Sequence, residues 1–154
     1  MFIRDLTNAD DLPALEQSLR FAAQRNRVLT HNIANIDTPD FRPVDVSVDG
    51  FRTTLARAVD DRRERWDGAR GELAWSETRE LRRDGRGLMT VRPSVASAAT
   101  TGGAGENVLF QDRNTRSLER LMQQLQENTA QFSLATELMR AKMDLLRTAV
   151  DQTR

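Results

Sequence analysis

Leu12, Leu15, Leu19, Ala22, Asn26, Leu29, Ile33 and Ile36 recur at alternating spacings of three and four residues. A second run, Leu118, Leu121, Leu125, Asn128, Phe132, Ala135, Met139, Lys142, Leu146 and Ala149, repeats the pattern near the other end of the chain. Such spacing places every member on one stripe of an α-helix, and a stripe this narrow suits one partner helix. The two runs therefore predict a mainly α fold in which N- and C-terminal helices form an antiparallel coiled-coil pair.

The first helix is expected within residues 1–37. Asp10 or Asp11 stands ready to cap it, and Pro13 falls in its first turn, where a missing N–H costs little. The second is expected within 114–154, with Asn114 as N-cap. The intrasubunit seam comprises Leu15, Leu19, Ala22, Asn26, Leu29 and Ile33 against Leu121, Leu125, Asn128, Phe132, Ala135 and Met139. A register in which paired numbers sum to 154 sets Asn26 against Asn128 and Ala22 against Phe132. That register pairs the two polar seam residues with each other, and a buried polar pair is a device for fixing register.

The C-terminal helix carries a second stripe, Leu134, Leu138, Ala141 and Leu145, offset around its circumference. A helix apolar on two sides is built for two neighbours. This stripe is the expected contact with another subunit. Ordering a residue costs about 1–2 kcal/mol of backbone entropy. Burying a leucine returns only about 1.5–3 kcal/mol. Two helices joined by narrow seams are thus expected to be marginal without such a neighbour.

Between them, residues 38–113 read as an extended arm, a short helix and an irregular, β-containing segment. Pro39 disfavours helix at Thr38, so the first helix stops by Asp37, and Pro43 keeps Arg42 extended. VDVSVDGF then alternates like a strand. Over 50–66, Phe51, Leu55, Val59 and Trp66 share a helical face, while DDRRER reads as a solvated surface. GELAWSET and RGLMTVRPSV suggest two strands separated by RELRRDG, and SVASAATTGGAGEN reads as a small-residue linker. Internal repeats are not evident.

Composition narrows the function. Only 38% of the 154 residues are hydrophobic and 5% aromatic, while 30% are charged. This balance favours long helices over a compact enzyme. Lys+Arg and Asp+Glu are both 23, so the basic excess of a nucleic-acid binder is missing. Even Arg57 to Arg92, with ten arginines, holds eight acidic residues and only Trp66 and Trp75 for stacking. Cysteine is absent, which removes thiolate chemistry. The lone histidine, His31, falls on the outermost position of its helix, without a pocket or an orienting partner. Asp37, Asp40, Asp45 and Asp49 lack calcium-loop spacing, Asp60–Asp61 lies in the charge run, and GRG and GGAG do not sit between a strand and a helix. Neither catalytic, cofactor nor metal residues are expected. MFIRDLTNADDL lacks a secretory pattern, and no run of about 18 apolar residues predicts a membrane span.

What remains is the stretch NIANIDTPDFRP, a stiff exit from a seam helix. NIANIDTPDFRPVDVSVDGF resembles the N-terminal motif of flagellar axial proteins, the rod, hook and hook-associated family, written N-x-A-N-x-x-T-P-G-[YF]. Asn32, Ala34, Asn35, Thr38, Pro39 and Phe41 match, and Asp40 stands where the pattern has glycine. RPVDVSVDGF, AKMDLLRTAV and the short length look like the proximal-rod members. GENVLFQDRNTRSLERLMQQLQENTAQFSLATELM resembles their C-terminal half, with Phe110–Gln111 and Ala130–Gln131–Phe132 departing from its usual residues. The resemblance spans roughly residues 10–60 and 105–150. It implies a structural rod subunit in the periplasm, exported through the flagellar type III apparatus without a cleaved signal. Its partners would be copies of itself and other basal-body proteins, with terminal helices lining the inner tube. Competing expectations are an adjacent rod protein or a cytoplasmic coiled-coil adaptor or export chaperone.

Overall fold

A computed structural model describes residues 11–66, 73–85, 88–95 and 118–152. Three helices dominate: α1, Leu12–Ala34; α2, Val48–Trp66; and α3, Leu118–Gln152. Four short strands, β1 Val44–Asp45, β2 Leu81–Arg83, β3 Met89–Val91 and β4 Ser94–Val95, form two antiparallel pairs, β1 with β4 and β2 with β3. The fold is mainly helical with a small β-containing middle, as the periodicity predicts.

The terminal helices pack against each other, and their direction follows from two interactions. Asn128 Nδ2 donates to the carbonyl of Ala22 at 2.8 Å, and Lys142 Nζ lies 3.9 Å from Asp11 Oδ2. Numbers fall along α3 as they rise along α1, so the pair is antiparallel. Ala22, Leu29, Leu121, Asn128 and Ala135 are buried between them, with Leu15, Leu19, Asn26, Ile33, Leu125 and Met139 partly covered.

Two details of the expected seam are corrected. Phe132 is 38% exposed, at the margin of the contact. Asn128 seeks the Ala22 carbonyl, one turn from Asn26. The methyl of Ala22 leaves that carbonyl uncovered, and a buried amide gains more from a free lone pair than from a partner it does not reach. Asn26 Oδ1 meanwhile accepts from Thr30 Oγ1 at 3.4 Å.

The principal core lies elsewhere. Phe21, Val46, Phe51, Ala58, Leu73, Trp75, Leu81 and Met89 form one buried cluster, with Ala14, Val48, Leu55, Val59 and Val91 packed on it. Phe21 and Phe51 stack with ring centroids 4.0 Å apart and planes within 5°. Aromatic pairs in such contact add about 0.5–1.5 kcal/mol beyond area burial. Thus α1 is buried on two sides, by α3 along the seam and by the middle segment along Ala14, Phe21, Arg25 and Asn32. The middle of the chain is a packed unit.

Its local structure differs from the alternation-based reading at two places. VDVSVDGF is extended only through β1, because Ser47 starts α2: its Oγ accepts the N–H of Gly50 at 2.9 Å and its carbonyl that of Phe51 at 3.0 Å. An N-cap satisfying the first-turn donors outweighs a weak strand pattern. GELAWSET is not a strand over its described residues, whereas RELRRDG, expected to separate the two strands, contains β2. Asp84 supplies the turn by accepting the N–H of Leu88 at 2.8 Å, and the register pairs Leu81 with Val91 and Arg83 with Met89. Trp75 and Leu73 are buried from an irregular segment instead, with the Arg83 guanidinium 4.9 Å over the indole. The α1 cap also differs, since Asp11 makes no side-chain cap hydrogen bond. Asn114, the linker beyond Val95, the side chain of Trp66 and residues 1–10 lie outside the described residues.

Candidate functional site

The helix exit is held by polar side chains of α1 that bind backbone. Asn32, 1% exposed, donates through Nδ2 to the Val44 carbonyl at 2.6 Å. Its Oδ1 accepts the Val44 N–H at 3.1 Å. One carboxamide thus engages both backbone groups of a residue, as a neighbouring strand would. Gln24, two turns earlier, donates to the Met89 carbonyl and accepts the Val91 N–H, both at 2.8 Å. Helix α1 therefore covers an open edge of each β-pair with an amide, and unpaired edges are where sheets recruit other chains. Between them Arg25 grips Asp45 in two bonds, Nε to Oδ1 at 2.9 Å and Nη2 to Oδ2 at 2.8 Å. Paired in this way, the buried guanidinium is satisfied and oriented. Glu80 fastens the far side, accepting the Ser47 N–H and the Ser94 hydroxyl, each at 2.8 Å.

The turn between helix and arm follows from its residues. α1 ends at Ala34, with Asn35 as C-cap donating its Nδ2 to the His31 carbonyl at 2.8 Å. Thr38, Pro39, Asp40 and Phe41 then form a β-turn closed by the Phe41 N–H on the Thr38 carbonyl at 3.2 Å. Pro39 occupies the second position, and Asp40 has φ +59°, the sole positive φ at a described non-glycine residue. Proline followed by a left-handed residue is the signature of a type II turn, whose third position favours glycine. Asp40 sits where the motif has that glycine, and aspartate is among the few residues that visit this region. Phe41 tilts against His31, ring centroids 5.6 Å apart. Ala34 is exposed at the helix end.

The second candidate surface is on α3. Leu134, Leu138 and Leu145 are 59%, 47% and 65% exposed, and Ala141 beside them is exposed too. They occupy the flank of α3 turned away from Ala22 and Leu29. Met122, Met143 and Val150 are also partly exposed, at 42%, 45% and 49%. Single exposed leucines are ordinary, but a row along about three turns marks a contact surface.

Arg25, Gln24, Phe21 and Asp45 did not emerge from the sequence. Their signal is a second stripe, Ala14, Phe21, Arg25 and Asn32, spaced seven, four and seven, in which polar members disguise a buried face. Among the described residues, no group of three histidine, aspartate or glutamate side chains could hold a metal, and no helix is long and apolar enough to cross a membrane. No protein-family model matches the chain, and no curated protein or solved structure matches it either.

Proposed function

We propose that this chain is a structural subunit of the bacterial flagellar proximal rod, similar to the rod protein FlgB, which assembles through its terminal helices. The observation that carries the reading is the exposed row Leu134, Leu138, Ala141 and Leu145 on a helix whose opposite flank already holds α1. A 35-residue helix buried only at Leu121, Asn128 and Ala135 gains its remaining packing from a neighbour.

The exit turn supports the family assignment from a separate direction. The position where the axial-protein motif has glycine is the one where this backbone takes a positive φ. Asn32 and Asn35, the two asparagines of that motif, each hold the exit by a side-chain bond to backbone. In this reading the middle segment stays clamped against α1, and the terminal helices carry the assembly. Its partners are copies of itself, other rod and basal-body proteins, and the flagellar type III export apparatus that delivers it to the periplasm.

The test is Leu138→Asp with Leu145→Asp in the cell of origin. Rod assembly and motility should be lost while the protein is still made and exported. Normal motility would remove the stripe as a subunit contact. A soluble cytoplasmic dimer held by the same stripe would favour an adaptor instead.

A further inference from the structure

The β2–β3 pair has two outer edges, and the one on β3 is covered by Gln24 of α1. On β2 the direction of each backbone group follows from the ladder. Glu80 accepts the Arg92 N–H at 2.7 Å and Asp84 donates its N–H to the Leu88 carbonyl at 2.9 Å, so Glu80, Arg82 and Asp84 face β3. Successive residues of a strand alternate in this respect. The N–H and carbonyl of Leu81 and Arg83 therefore point the other way, where a third strand would pair.

What lies there is the segment that precedes β2. Thr78 donates its N–H to the Leu81 carbonyl at 2.9 Å, and its Oγ1 accepts the Leu81 N–H at 3.0 Å. Thr78 thus closes a tight turn over Arg79 and Glu80, with its hydroxyl in place of its own carbonyl. Continued in that register, the chain would set Ser76 opposite Arg83. It does not, because Trp75 and Leu73 are drawn into the core. The Glu77 carboxylate fills the gap: Oε1 accepts the Arg83 N–H at 3.0 Å, and Oε2 accepts from Arg82 Nη1 at 3.3 Å. Arg83 in turn holds the segment down, its guanidinium over the Trp75 ring and donating to the Trp75 carbonyl.

We infer that residues 75–78 are a strap that closes the outer edge of β2 against strand addition by a second copy of this chain. An edge with open N–H and C=O groups recruits another strand. The twofold pairing open to β2 sets Leu81 of one copy against Arg83 of the other. Glu77 and Thr78 occupy the groups that such a pairing needs. The exposed Arg82 guards the same edge, since the pairing would place the two copies of Arg82 directly opposite each other, where like charges repel. Side chains serve better here than a third strand, because they satisfy one edge without offering another.

The test uses the full chain carrying Leu138→Asp and Leu145→Asp, which removes the α3 row as a source of association and separates the outcome from that of the rod reading. Adding Glu77→Ala, Thr78→Ala and Arg82→Thr should make the sedimentation coefficient rise with concentration, as a monomer–dimer equilibrium does. Adding Glu77→Gln, Thr78→Ser and Arg82→Thr keeps both acceptors and should leave sedimentation as in the background protein. No added association in the first protein, or equal association in both, would overturn the inference. The second readout is amide exchange in dilute protein with single substitutions. Thr78→Ala should speed exchange at Leu81 about tenfold, and Glu77→Ala should do the same at Arg83, the mark of an edge locally opened. Unchanged exchange at either amide would equally overturn it, whatever the larger variants do.

Discussion

Asn32 on α1 holds both the N–H and the carbonyl of Val44 through one side-chain amide, at 3.1 and 2.6 Å. This pair turns a helix end into an anchor for the arm that follows. Buried asparagine also occurs at 128, but there the amide makes one bond, from Nδ2 to the Ala22 carbonyl, and Oδ1 has no partner among the described residues. The two residues share type and burial and differ in what they satisfy.

That contrast yields the first prediction. Asn32→Ala strands two backbone groups of Val44, whereas Asn128→Ala leaves Ala22 with its ordinary helical bond. Orphaned buried groups cost about 1–3 kcal/mol each. Asn32→Ala should therefore lower the urea-unfolding free energy by about 1–3 kcal/mol more than Asn128→Ala does. Equal losses would mean that both sites respond only to the missing volume.

Asp40 gives a prediction of opposite sign. A left-handed conformation costs an ordinary L-residue about 1–2 kcal/mol, less for aspartate and nothing for glycine. Asp40→Gly should raise stability by up to about 1 kcal/mol, and Asp40→Val should lower it by about 1–2 kcal/mol. Thermal unfolding of the three proteins checks the order Gly, Asp, Val.

The Arg25–Asp45 pair is the third case. The Arg25 side chain is 7% exposed and that of Asp45 19%, so removing one partner leaves the other charge poorly solvated. Arg25→Met alone should cost about 3–5 kcal/mol. Adding Asp45→Leu should recover much of that loss, since apolar replacement of a buried pair is often neutral. A double-mutant cycle in urea measures the recovery, and strict additivity would deny the coupling.

Along the outer row of α3 the expectation is the absence of an effect on the isolated chain. Leu138 and Leu145 are 47% and 65% exposed, and surface substitutions away from specific features usually stay within about 0.5 kcal/mol. Leu138→Asp with Leu145→Asp should therefore leave monomer stability nearly unchanged while blocking assembly. The matched neutral control is Arg63 with Arg65 on α2, whose ion pairs are exposed. Arg82 with Arg83 would not serve, because Arg83 lies over Trp75 and donates to its carbonyl.

Hydrogen exchange should divide the terminal helices. Both seams are narrow, but α1 is also held by the Phe21–Phe51 stack and the Gln24, Arg25 and Asn32 clamps. Amides in α1 should be the better protected, with α3 opening at lower free energy. Equal protection would place α3 in the same cooperative unit.

The sequence by itself determined the two long helices, their antiparallel seam, the exit near Asn35 and the turn at Pro39. Each rests on local chemistry: a 3-4 apolar period, a proline, a capping residue. The exposed second stripe of α3 was equally legible, since periodicity reports a face whether or not something covers it. Tertiary structure alone decided where the main core lies. Phe21, Trp75 and Met89 are far apart in sequence and belong to segments without common periodicity, so no local pattern joins them. It also decided the partners of polar residues. Asn32, Gln24 and Arg25 look like solvated helix residues until the backbone of β1 and β3 is brought against them, and Asn128 turns to Ala22 because that carbonyl lies within reach. Hydrogen bonds depend on tenths of an ångström and on direction, and those are set only when the chain has closed on itself.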